Sequence, residues 1–136
     1  MFPAFQGLGW LGIVIAAAFS FLFGMLWYGP LFGKNWMKLV GIKKEDMKME
    51  NPGLTMSSAI LGSFLTAFTL ELFLNWADVS LFHAGLGIAL FSFLGFSGPK
   101  MMDGVLWGNQ GWALFGFNAA YTILAYVGMV AVLFYV

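Results

Sequence analysis

The sequence predicts an all-α fold: four transmembrane helices in a compact bundle, both termini outside, with a short interfacial helix after the first span. Composition is the first observation behind it. The chain of 136 residues is 61% hydrophobic and 9% charged, against about 45–50% apolar and about 25% charged in soluble domains. Length is the second, because separate apolar stretches approach the roughly 20 residues a helix needs to cross a hydrocarbon core. Charge placement is the third: all 6 basic residues are lysines, confined to two alternate connecting segments.

The first span covers about residues 8–28, "LGWLGIVIAAAFSFLFGMLWY", and carries no charge. It ends at Trp27-Tyr28-Gly29-Pro30. The two aromatics have an apolar body and a polar edge suited to the headgroup layer, and proline lacks the amide donor that a helix needs. Beyond the break, residues 30–40 place Phe32, Trp36, Leu39 and Val40 near one face and Lys34, Asn35 and Lys38 opposite. This pattern predicts a short helix lying on the membrane, ended by Gly41; an irregular loop is the competing reading, since Gly33 sits inside it.

The second span covers about residues 55–75 with Glu71 its one charge, the third about 81–97, and the fourth about 111–136. The loops are then 29–54 and 98–110, and the whole chain, 1–136, is one transmembrane domain. Strands of a membrane barrel would alternate in polarity over short segments, which these runs do not. Lys34, Lys38, Lys43, Lys44 and Lys48 lie in the first loop and Lys100 in the second, so both loops are expected in the cytoplasm. The start has no lysine and no small-residue cleavage site, so the first span is expected to be retained rather than removed as a signal peptide. Trp36, Trp107 and Trp112 fit the inner interface with Trp27 and Tyr28, while Trp10, Trp76 and Tyr135 fit the outer one.

Helices in lipid associate through small residues that let backbones approach. The first span carries Gly12, Ala16, Ser20 and Gly24 at four-residue spacing. Ser58, Gly62 and Thr66 in the second, Gly85 and Ala89 in the third, and Gly116 and Ala120 in the fourth offer further close approaches. Such a face meets either another helix of this chain or a second copy; with four spans to pack, the first is expected. An internal echo also stands out: "GLG" and a Phe-Ser-Phe-Leu run ending at Gly-Pro before a lysine occurs twice, suggesting two related hairpins.

Glu71 is the sharpest candidate for chemistry, since a carboxylate inside a span is costly and a protonatable one can couple proton movement to transport. Asn75 lies one turn later, and Asp78 and His83 follow, so these groups are candidates for one outer cluster. The alternative is a Glu71 that is simply hydrogen-bonded or wetted at the interface. His83 could ligate a haem or chlorophyll axially, but one histidine and no cysteine leave a zinc site short of ligands; no metal is expected, the cofactor is unknown, and an unliganded interfacial histidine is the plainer reading. In the fourth span Asn118, Tyr121 and Thr122 put polar groups at depth, where interhelical hydrogen bonds are the plain reading and a substrate site the sharper one. The stretch "GIKKEDMKMENPG" mixes both signs and reads as a solvated loop with weak attraction to anionic lipid. Zero net charge and no arginine argue against nucleic-acid binding.

At "LWYGPLFGKNWMKLVGIKKEDM" the chain resembles a family of small bacterial membrane proteins known as domain of unknown function 1761. In that family a first helix ends in Trp-Tyr-Gly-Pro and is followed by Phe-Gly-x-x-Trp. "WALFGFNAAYTILAYVGM" is similar to the family's Asn-Ala-Gly-Tyr segment at Asn118 to Tyr121, with Ala120 in place of glycine and Thr122 where histidine is frequent. The resemblance implies four helices and a bacterial cytoplasmic membrane, and brings no activity with it. No enzyme is expected. The leading expectation is a non-enzymatic accessory or structural subunit, in a membrane complex or a homo-oligomer, with the bilayer around it. A proton-coupled transporter using Glu71 and a pigment- or haem-binding subunit using His83 are the alternatives.

Overall fold

The computed structural model describes residues 7–46 and 49–136. Lys48 and the first residues of the amino terminus, assigned a side of the membrane above, lie outside the described residues. Among the described residues the chain is helices and turns with no strand. Four helices among these residues are long and apolar enough to cross a membrane: Trp10–Leu31, Pro52–Trp76, Phe82–Leu106 and Trp112–Tyr135.

The first of these is α1, Trp10–Leu26, continued by a wide turn over Trp27–Leu31. The chain breaks where the Gly-Pro pair predicts, with Gly29 at φ −114° and ψ −108°, outside helical geometry. Pro30 has no N–H to donate, and the turn closes through Phe32, whose N–H reaches the Trp27 carbonyl at 3.0 Å. The helix predicted beyond the break forms as α2, Gly33–Val40, and Gly33 is no obstacle to it. A Cβ there would stand 2.8 Å from the Tyr28 carbonyl, so the tight junction between α1 and α2 is what calls for glycine. Gly41, at φ 83°, ends α2 by donating to the Met37 carbonyl at 2.8 Å.

Asn51 caps α3, Pro52–Trp76, by accepting the Leu54 N–H at 3.1 Å, with Pro52 in the first turn where a missing donor costs nothing. Asp78, at φ 49°, turns the chain into the next helix. α4, Phe82–Ser92, runs through a second wide turn at Phe93–Ser97 into α5, Gly98–Leu106. The third stretch was expected to end at Ser97 before a loop over 98–110; instead the helix continues to Leu106. The Gly98 N–H reaches back to the Phe93 carbonyl, and this one-residue widening lets Pro99 follow without breaking the rod. The two Gly-Pro sites of the internal echo thus both carry wide turns, although Gly7 to Gly9 precede α1 whereas Gly85 and Gly87 lie inside α4. α6, Trp112–Tyr135, completes the chain.

α1 lies between α3 and α6, and α6 between α1 and α4. Ile13, Ala16 and Ala17 of α1, Ala67 and Leu70 of α3, Ala89 of α4 and Ala125, Met129 and Val130 of α6 form the core. The small-residue face of α1 is used within the chain. Gly12, Ala16 and Ser20 are buried, and a Cβ on Gly12 would touch Leu133 at 3.7 Å. One on Gly24 would sit 2.7 Å from the Tyr121 hydroxyl, and one on Gly85 3.0 Å from Val130. Gly62 and Gly116 are not packed within the chain, since a Cβ on either would meet nothing within 4 Å. The buried residues of α3 begin only at Ala67, and Gly116 lies off the face of α6 marked by Leu114 and Ala119.

Candidate functional site

Polar groups collect at both ends of the α1–α6 seam. At the lysine-bearing end, the helical run of α1 brings Trp27 and Tyr28 against α6. Their rings do not point outward as a headgroup belt would have them. Trp27 packs on Phe32, Phe117 and Phe23 with centroids at 4.6, 5.5 and 5.9 Å. Tyr28 meets Tyr121, Phe117 and Trp36 edge-on at 5.1, 5.6 and 5.8 Å. An aromatic edge carries partial positive charge and a face partial negative charge, so these tilted contacts are the favourable ones.

Inside this aromatic lining the hydrogen bonds are directional. Tyr28 Oη donates to Asn118 Oδ1 at 2.6 Å, and Tyr121 Oη donates to the Ser20 carbonyl at 3.3 Å. Thr122 Oγ1 donates to the Asn118 carbonyl at 2.9 Å, the usual resting place for a threonine hydroxyl within a helix. Trp27 Nε1 is buried and has no hydrogen-bond partner among the described residues. Phenol, amide and indole are groups of recognition and packing: they donate and accept hydrogen bonds at neutral pH without changing charge.

Asn118 also faces a cavity of about 530 Å³. Trp36, Leu39 and Val40 of α2 form one wall, the turn from Gly108 to Gly111 another, and Leu114 with Asn118 the side given by α6. The turn is held by the Gly104 carbonyl, which accepts the N–H groups of Gly108 and Gln110 at 3.1 and 3.0 Å. Asn109 within it adopts φ 58°, a left-handed conformation that asparagine tolerates better than most residues.

At the opposite end, Glu71 Oε1 accepts the Gly9 N–H at 3.0 Å, tying the start of α1 to α3. Glu71, Asn75, Asp78 and Ser80 share a cavity of about 400 Å³ with Leu133 and Phe134. The structure therefore brings Glu71, Asn75 and Asp78 together and leaves His83 outside, exposed on the first turn of α4. Among the described residues no three of His, Cys, Asp and Glu gather as a metal would require. Trp10, Trp76, Trp107 and Trp112 are exposed and Trp36 half-buried.

The model of one family, described as a protein of unknown function, DUF1761, matches residues 11–134. The chain belongs to this family. No curated protein and no solved structure matches it. The matched DUF1761 region takes in Tyr28, Glu71 and Asn118 alike. Sequence reasoning missed the Ser97–Tyr126 hydroxyl pair in this DUF1761 chain. A signal for it existed: Asn118, Thr122 and Tyr126 recur every four residues, and each faces a polar or sulfur atom of another element, in Tyr28, Met101 and Ser97.

Proposed function

We propose that this chain is an integral membrane protein whose lysine-bearing loops face the cytoplasm and whose work is non-enzymatic: it packs, as a compact four-helix unit, against a helix of another polypeptide. The observation that carries the reading is the uncovered first half of α3. Ser58 and Gly62 are exposed there, on a helix long and apolar enough to cross a membrane. Leucines facing lipid need no partner, but a Gly-and-Ser face gains little from lipid and much from a second backbone brought close. Beside it a groove of about 410 Å³ opens between α3, α4 and α6, lined by Leu65, Thr69, Leu70, Phe73, Phe96 and Tyr126. The small residues of α1 lend no support to a partner, because they are consumed inside the chain. The partner is a second copy or a larger subunit, and one experiment separates these. Gentle extraction followed by intact-complex mass and protein identification is expected to give an assembly heavier than one chain, which Gly62→Leu releases. A single-chain mass for both proteins, with the fold intact, would sink the reading.

A second reading, a small proton-coupled transporter, draws on the cavity at Glu71, Asn75 and Asp78. It requires that Glu71→Gln, which keeps an acceptor for the Gly9 N–H but cannot exchange a proton, abolish proton-driven flux. Flux unchanged in that variant removes it.

A further inference from the structure

We infer that the cavity between α2, the α5–α6 turn and Asn118 is a binding site for an uncharged amphiphile that presents a carbonyl oxygen to the Asn118 amide and lays an apolar chain along α2. The inference stands apart from the packing role of α3, which lies on other elements.

Asn118 is the polar anchor of the cavity. Its Oδ1 is taken by the Tyr28 hydroxyl at 2.6 Å, which fixes the rotation of the amide. Nδ2 is then left as a donor with no partner among the described residues, on a side chain that lines the cavity. Tyr28 is itself clamped by Trp36, Phe117 and Tyr121, so the donor is held in place before any ligand arrives. Further donors lie at the same end. α6 begins without a side-chain cap at Gly111, and the first N–H groups of a helix have no partner within it. Asn109 and Gln110 line the same space with amides that both donate and accept, so the fixed preference comes from Asn118, whose free group is a donor and calls for an acceptor.

Charge and shape narrow the class. None of the lining residues is ionisable, and Lys34 and Lys38 belong to the opposite face of α2, so a phosphate or carboxylate would enter without a counter-charge. Trp36, Leu39, Val40 and Leu114 supply apolar wall for a chain rather than for a sugar or an ion. At about 530 Å³ the space suits one ligand group of modest size. A carbonyl on an apolar chain has two sources in a membrane, the ester of a neutral glyceride and the ring of a quinone.

The test titrates the full-length chain in detergent with decylubiquinone and with dioctanoylglycerol, reading bound mass by native mass spectrometry. The ether analogue dioctyl glycerol, which has the chains without the carbonyl, and dioctanoyl phosphatidic acid, which is anionic, serve as controls. One carbonyl probe at least should bind saturably at one per chain, and which one does so names the source. Asn118→Ala should weaken it about tenfold, the worth of one hydrogen bond. Because that variant also strands the Tyr28 hydroxyl, Val40→Trp provides a second arm: it fills the cavity from α2 without touching the Tyr28–Asn118 bond and should abolish binding with helix content unchanged. Equal binding of the ether, preference for the anionic lipid, or no saturable binding by either carbonyl probe would each overturn the inference.

Discussion

At the scale of single residues, the glycines divide by what surrounds them, and the division can be measured. A Cβ on Gly24 would lie 2.7 Å from the Tyr121 hydroxyl, whereas one on Gly62 would meet nothing within 4 Å. Gly24→Ala must push Tyr121 off the Ser20 carbonyl, and overpacking of this kind costs about 1–3 kcal/mol. Gly62→Ala adds a methyl to open space and should leave the stability of the isolated chain within about 0.5 kcal/mol. Denaturation in mixed micelles checks both. Equal losses at the two positions would mean that the α1–α6 seam does not depend on the close approach at Gly24. Tyr28 shows how a residue chosen by one rule serves another. Its amphipathic ring fits a headgroup belt by composition, yet its hydroxyl turns inward to the half-buried Asn118 amide, beside which the break at Gly29 sets the phenol.

At the scale of elements, hydropathy and punctuation carried most of the information. The uncharged run, Gly29-Pro30 and the split of Phe32, Trp36, Leu39 and Val40 from the lysines located α1, its break and α2. The third helix was legible only in part. Pro99 and Lys100 look like the end of a span, and a five-residue wide turn at Phe93–Ser97 leaves no composition signal by which to tell a passed proline from a stop. The Glu71 site was half legible for a similar reason. Glu71, Asn75 and Asp78 lie close along one helix and its turn, but the position of His83 depends on how α4 rotates after that turn. The cavity at Asn118 was not legible, since its α2 wall and its other walls are about seventy positions apart in sequence and only the fold joins them. α2 offers its own test. Gly41 ends it at φ 83°, and an L side chain in that conformation costs about 1–2 kcal/mol. Gly41→Ala should therefore fray the last turn and speed amide exchange at Gly41 and Ile42, whose N–H groups both donate to the Met37 carbonyl. Unchanged exchange would show that packing on α6, rather than the cap, holds α2.

At the scale of the whole molecule, the exposed surface is apolar on every long helix: Leu11 on α1 is 69% exposed, Leu54 on α3 64%, Phe91 on α4 74% and Leu124 on α6 49%. Lipid satisfies such a surface where water would not, and in the proposed topology the lysines set the side. The absence of cysteine makes the proposed orientation simple to check. A cysteine at Lys43 should react with an impermeant maleimide only after the cytoplasmic side is opened, and one at Ser80 should react in intact cells. The reverse pattern would invert the topology and place the cavity at Asn118 on the outer face.

If another polypeptide covers the first half of α3, that contact is open to direct capture. The most direct measurement is a photo-crosslinking residue placed at Gly62 in the native membrane, with the same residue at Leu11 as the lipid-facing control. Position 62 should give a discrete protein adduct and position 11 none. Lipid adducts alone at both positions would contradict it.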